Sequence, residues 1–236
     1  MKEGVVMNIL TVKNINKIYQ GKDVLKNISI DIKEGEVYGL LGKNGIGKTT
    51  LLKIITRLIP ISNYNRRIEV NTTNKTISAL IDTPACYMNL SVKTNLQLCS
   101  YLYYKRVTER KKYIEEMILY FDLENMLHKK MSNLSLGMLQ KVKLAMIFMA
   151  NTECIILDEP FNGLDIESSL ILKNKIKLLS KELNRTIIIT SHNTEQLEKI
   201  CDRFGILKRV ELINVDKTQL NDMNLEEYYY KVVKDV

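Results

Sequence analysis

Four cysteines, Cys86, Cys99, Cys154 and Cys201, are scattered through the chain. They form no C-x-x-C pair and have no histidine at ligand spacing. That leaves no framework for zinc or disulfides, and reduced thiols in a cytosolic setting are the plain reading. Also missing is any apolar run near the roughly 18 residues needed to span a bilayer. The first residues, Met1 to Met7, lack the apolar core of a secretion signal. The chain is therefore expected to reach a membrane only through a partner. The net charge is +8, but the lysines are spread evenly rather than blocked, and no RNA-binding motif accompanies them. A generally basic surface, useful near anionic lipid, is expected, and nucleic acid is not expected as a partner. No internal repeat occurs, so a single copy of any functional unit is expected in the chain.

Against these absences stands the run Leu40 to Thr50. Gly42 to Thr49 fits the phosphate-loop pattern G-x-x-x-x-G-K-S/T. Its surroundings fit too, because Glu36 to Leu41 reads as a short buried strand and Leu51 to Ile55 continues as a helix. Gly42, Gly45 and Gly47 let backbone N–H groups curl around phosphates where side chains would collide. Lys43, Asn44, Ile46 and Thr50 complete the loop, and the helix points its positive end at the bound anion. Lys48 is expected on the β- and γ-phosphates, with the Thr49 hydroxyl on Mg²⁺.

In the second half, Cys154 to Leu157 is an apolar run that opens into Asp158 and Glu159, as suits a buried parallel strand ending at a crevice. Asp158 is expected to hold Mg²⁺ and Glu159 to polarise the water that attacks the γ-phosphate. A D-E pair alone is most often surface charge, and its position after a buried run in a chain with a phosphate loop sets this one apart. Ser135 stands where a helix N-cap belongs, with Gly137 behind it, giving a second helix end able to meet an anion. A further buried strand, Thr186 to Ser191, delivers His192 at its end.

Taken in order, these segments resemble the ATP-binding-cassette ATPases, the motor subunits of ABC transporters, from about Ile9 to Asp216. The resemblance implies an α/β, P-loop NTPase fold: a central, mostly parallel sheet with flanking helices, an N-terminal antiparallel β subdomain and an inserted helical subdomain. It makes Tyr19 the aromatic that stacks on adenine. Ser135, Leu136 and Gly137 become signature residues that meet the ATP of a second copy, Leu164 and Asp165 a D-loop, and His192 a switch histidine. The catalytic set is then Glu159, His192 and Lys48, the cofactors ATP and Mg²⁺. The partners implied are a separate integral membrane permease and a second cassette in an ATP-dependent homodimer. Such a protein sits on the inner face of the membrane, held by the permease.

Two departures from the family pattern mark a branch. Leu136 and Met138 replace a glycine and the glutamine of L-S-G-G-Q, and Asp82 stands where the Q-loop glutamine is usual. Both features resemble the ATPases of bacitracin-resistance and lantibiotic-immunity exporters, in which the Q-loop position is acidic. By that resemblance Asp82 is a third candidate metal contact and the element that couples ATP turnover to the permease. The basic charge leaves a soluble ABC ATPase acting on ribosomes or DNA as a rival, and the altered signature leaves a weakly hydrolysing regulator.

At 236 residues a single domain from about residue 8 to 236 is expected. Its core and β subdomain would take 8–83 and 151–216, its helical subdomain 84–150, and a short C-terminal helix 217–236. Strands are expected at Leu10–Val12, Ile28–Ile32 and Val37–Leu41, with a turn across Asp31 to Glu36. Pro60 to Lys75 is loosely patterned, with one strand at Ile68 to Val70. From Leu90 to Leu127 the periodicity is helical, carried by Leu96, Leu98, Tyr101 and Leu102 and then by Ile114, Met117, Ile118 and Phe121. The cluster Tyr101 to Tyr104 is expected on a helix that packs inward with a few rings exposed.

Overall fold

The computed structural model describes residues 7–60, 71–72, 76–82 and 86–234. Strands β1 (Asn8–Tyr19) and β2 (Lys22–Lys33) form an antiparallel hairpin. Gln20 and Gly21 at its tip have φ of 49° and 77°. Two positive φ values in a two-residue loop match the twist of the flanking strands, which explains so tight a reversal. Along β2, Ile28, Ile30 and Ile32 point inward while Ser29, Asp31 and Lys33 point out, the period of a half-buried strand. Both strands run well past the short segments expected, and the turn before the next strand shrinks to Glu34 and Gly35. A short strand, β4 (Asn71–Thr72), pairs with β1 on its other side. The strand expected at Ile68 to Val70 lies outside the described residues.

The main sheet is assembled from β3 (Val37–Leu41), β5 (Ile77–Leu80), β6 (Cys154–Leu157), β7 (Thr186–Ser191), β8 (Arg203–Lys208) and β9 (Glu211–Asp216). The order is β5-β6-β7-β3-β8-β9, with every pair parallel except β8 with β9. Every residue of β3, β6 and β7 is buried, as expected where both faces of a parallel sheet are covered. The pleat divides them between two cores. Tyr38, Leu40, Cys154, Ile156 and Ile188 face the β1–β2 hairpin and helix α1 (Lys48–Ile55). Val37, Leu41, Ile155, Leu157, Ile187 and Ile189 face the opposite side. There they meet side chains of α3 (Val107–Tyr120), α4 (Leu136–Met149), α5 (Ile166–Lys181), the short α6 (Thr194–Glu198) and α7 (Leu225–Lys234). Cutting Ile156 or Ile189 back to alanine would cost about 2–5 kcal/mol, the usual penalty of a cavity in so closed a core.

Helix α2 (Val92–Tyr103) packs one face inward and leaves part of the tyrosine cluster exposed. Its inner face is Val92, Asn95, Leu96, Cys99 and Ser100, whereas Leu98 is exposed at its edge and Tyr101 and Leu102 are 63% and 79% exposed. The 3.6-residue period started by Val92 carries those two residues to the outer side. Tyr104 instead turns inward, donating its hydroxyl to Met149 O at 2.7 Å and stacking on Tyr113. The face expected for α3, with Ile114, Met117 and Ile118 followed by Phe121, does pack against the core. Among the described residues, no helix is long and apolar enough to cross a membrane.

Candidate active site at the ends of three parallel strands

Register brings the functional segments together. Leu41 of β3 lies beside Ser191 of β7, and Leu157 of β6 beside Ile189. The segments that leave these strands, from Gly42, Asp158 and His192, therefore emerge side by side at the carboxyl edge of the sheet, where crevices of open α/β folds form. From β3 the chain turns through the glycine-rich loop and enters α1 at Gly47, whose φ of 116° no side-chain-bearing residue adopts comfortably. A Cβ there would also press within 3.2 Å of Val24 and Leu25. As N-cap, Gly47 supplies no side-chain acceptor to the first turn. Its backbone donors are left for an anion.

Gly45 is held to glycine by its backbone as well. Apart from the phosphates expected against the loop, a Cβ on it would meet nothing within 4 Å, so the rest of the chain leaves that space open. The constraint that the chain itself imposes is in the backbone. Ile46 N donates to Lys43 O at 3.3 Å, closing a turn in which Gly45 takes the third place with φ 77°. That place in a turn of this kind requires a positive φ, which glycine alone adopts without strain. Gly45 is exposed at the crown of the loop, whereas Gly42 and Gly47 are buried at its two feet.

Lys48 is almost wholly buried, so its ammonium needs partners. It donates to Gly42 O at 2.6 Å and to Lys43 O at 3.4 Å, and lies 3.2 Å from Glu159 Oε1. That oxygen is itself sealed from solvent and makes no hydrogen bond, so the contact with Lys48 is ionic rather than aligned. The second oxygen of Glu159, Oε2, is 3.0 Å from His192 Nδ1. One carboxylate thus spans a buried lysine and a half-exposed histidine.

Asp158 is held still more firmly. Its Oδ2 accepts from the Thr49 hydroxyl and its Oδ1 from the Thr190 hydroxyl, each at 2.6 Å, while its N–H bonds Leu80 O at 2.8 Å. Thr190, fully buried in β7, also accepts the Glu159 N–H at 2.8 Å. Its single hydroxyl therefore orders both acids of the pair. The donor set suits a small hard cation. Thr49 and Asp158 present two oxygens already in contact, in a place lined by a strand end and a helix start.

Among the described residues, no hydrogen bond or ion pair ties the other candidates to this cluster. Asp82 has φ 54° and its carboxylate is ion-paired with Lys53, which follows Thr49 by one helical turn on α1. The hydrogen bond to Asp82 raises the Lys53 pKa above its ordinary value. The pair is partly exposed and so worth little stability. Tyr19, 45% exposed at the end of β1, has Lys17 Nζ over its ring at 4.9 Å. Ser135 caps α4 by accepting from Met138 N at 3.3 Å, and Asp165 caps α5 by accepting from Ser168 N at 2.7 Å. Among the described residues, no hydrogen bond or ion pair joins Ser135, Leu136, Gly137 or Asp165 to the Lys48 cluster. Thr190 and Lys53 escaped the sequence reading. The one signal for Thr190 was a hydroxyl closing a run of three isoleucines.

Residues 25–162 match the sequence model of the family described as ABC transporter. The chain belongs to that family. Among curated relatives, the uncharacterised ABC transporter ATP-binding protein YhcH of Bacillus subtilis (strain 168) is 33% identical, over 95% of this chain and 75% of that protein. The bacitracin transport ATP-binding protein BcrA of Enterococcus faecalis is 30% identical, over 93% of this chain and 74% of its own length. The first three curated relatives are matched over 66% to 75% of their lengths. A solved structure described as an ATP binding subunit of an ABC transporter superposes with a TM-score of 0.85 at 25% identity, covering 96% of this chain and all of that one. This member of the ABC transporter family is thus an ATPase, and the cluster around Lys48 is where its fold gathers the phosphate loop and the acidic strand end.

Proposed function

We propose that this chain is the ATP-hydrolysing subunit that drives a separate membrane permease, and that the assembly exports a peptide antibiotic or bacteriocin. The observation that carries the chemistry is the Glu159 carboxylate set between Lys48 and His192. In this reading Lys48 and the donors of the 42–48 loop hold the β- and γ-phosphates of ATP. The Thr49 hydroxyl and the Asp158 carboxylate would hold Mg²⁺, which supplies positive charge that offsets the phosphates when bound. Glu159 takes a proton from the attacking water as general base, and His192 orients the carboxylate through Nδ1. Tyr19 stacks on the adenine. Ser135 and its neighbours, remote in contact from Lys48, serve the nucleotide of a second copy packed head to tail, so that binding closes the pair and hydrolysis releases it.

Export rests on finer ground: the acidic Asp82 in the Q-loop place, the S-L-G-M signature and likeness to a bacitracin transport protein. In this reading the protein works in the cytoplasm, at the inner face of the membrane. The decisive pair of variants is Lys48→Ala and Glu159→Gln. The first is expected to lose both ATP binding and turnover. The second should keep binding while hydrolysis slows by about a hundredfold or more, a usual general-base contribution, and should accumulate an ATP-dependent dimer on size exclusion. Undiminished phosphate release by either variant would remove the assignment.

A further inference from the structure

Glu159 has φ 45°, a region that residues with a side chain seldom occupy and that must be held by its surroundings. Two hydrogen bonds brace it from either side. Its own N–H is bound by Thr190 Oγ1 at 2.8 Å, and the carbonyl of the next residue, Pro160, accepts from Gln140 Nε2 at 3.0 Å. The two braces differ in origin. Thr190 is fixed within the sheet, but Gln140 belongs to α4, the helix capped by Ser135.

The same helix start grips the far end of the turn that follows Glu159. This turn is closed by Asn162 N to Glu159 O at 3.1 Å and Leu164 N to Phe161 O at 3.2 Å. Gly163 lies at its end with φ 80°. A Cβ on Gly137 would fall 2.5 Å from Gly163 O, and one on Gly163 would fall 2.9 Å from Leu136 Cγ. The start of α4 is therefore packed directly on residues 160–163, with glycine at both contact points. Leu136, one of the departures from the family signature, supplies the side chain that rests on Gly163.

We infer that Gln140 is a positioning residue for Glu159: through Pro160 O it makes the setting of that carboxylate depend on where the signature-bearing helix stands. Leu136 on Gly163 is the second contact of the same clamp. A shift of α4 caused by Ser135 engaging the ATP of a second copy would then be felt at the hydrolytic residue of its own chain. The inference rests on the proposed role of Glu159 as base.

The test is steady-state ATP hydrolysis by the purified full chain, with thermal unfolding of each variant recorded. Gln140→Ala is expected to lower kcat about five- to tenfold, the worth of one hydrogen bond felt only in the reacting state, with KM for ATP within about twofold. Gln140→Glu, equal in shape but presenting an acceptor to the Pro160 carbonyl, should lose as much, while Gln140→Lys, which keeps a donor, should recover most of the rate. Added to Glu159→Gln, the alanine change should slow the residual turnover no further. If Gln140→Ala melts early, the isosteric glutamate variant carries the same comparison. An unchanged kcat, a loss shared equally by KM, or full additivity with Glu159→Gln would overturn the inference. A silent Gln140→Ala beside an inactive Glu159→Gln defeats this inference alone; normal turnover by Glu159→Gln defeats the base assignment and this inference with it.

Discussion

Strands β5 and β6 lie side by side with Leu80 against Leu157, and each leaves the sheet toward an acid. From β6 comes Asp158, tied by its backbone to Leu80 and by its carboxylate to hydroxyls of α1 and β7. From β5 comes Asp82, half exposed and tied to one flexible lysine. The first acid is fixed by three elements, the second by one partner that can be exchanged. A carboxylate that must hold a ligand in one geometry gains from the first arrangement. A carboxylate that must follow a moving neighbour gains from the second. The proposed roles divide accordingly, with Asp158 on the metal and Asp82 in the coupling to the permease.

Substitutions can break this division. Asp158→Ala should have the largest effect, lowering ATP turnover by about a hundredfold or more through loss of the anchored carboxylate; phosphate release near the wild-type rate would show that the β6 end is not the site. Thr190→Val comes next. It keeps the shape but strips Asp158 of a donor and leaves the Glu159 N–H unpaired in the core, at a cost of about 1–3 kcal/mol. For a chain of this size that lowers the melting temperature by several degrees, and turnover should fall about tenfold. An unshifted melt would mean that water replaces the hydroxyl. Asp82→Ala should barely move stability, since an exposed ion pair contributes at most about 1 kcal/mol, and should leave KM for ATP within about twofold. Its expected effect is on export or resistance in cells carrying the cognate permease, with Asp82→Glu retaining function. Full transport by Asp82→Ala would end the coupling role. Smallest of all is the Lys53–Asp82 coupling energy, which a double-mutant cycle on thermal stability should place below about 1 kcal/mol.

The parts legible in the sequence were those whose chemistry is local. The loop from Gly42 to Thr49, the apolar run into Asp158 and Glu159, and the cap at Ser135 each announce themselves within ten residues. What stayed hidden depends on partners far away in the chain. Thr190 reads as one more β-branched strand residue until β7 is laid against β6, and Lys53 as an ordinary helix cation until Asp82 returns beside it. Crowding around the loop glycines was hidden in the same way, since the side chains that press on Gly47 come from β2 while the space around Gly45 stays open. Which residues of the Tyr101 to Tyr104 cluster stay exposed was hidden for a different reason. Apolar residues near the end of an amphipathic helix suggest an inward face, but the phase set by Val92 and Leu96 turns Tyr101 and Leu102 outward. The hairpin strands were underestimated because register shifts between Asn8 and Ile18 interrupt the strict alternation that marks a strand.

Lys48 carries a consequence for timing. An ammonium has three protons to give, and Gly42 O, Lys43 O and Glu159 Oε1 already surround this one. A triphosphate settling on the loop brings oxygens that compete for the same cation. Drawing Lys48 away from Glu159 Oε1 would leave that carboxylate held by His192 alone, with one oxygen free for a water. In the proposed role of Glu159, the base stays paired with Lys48 until the triphosphate has arrived, an interlock in which the fuel itself releases the safety catch.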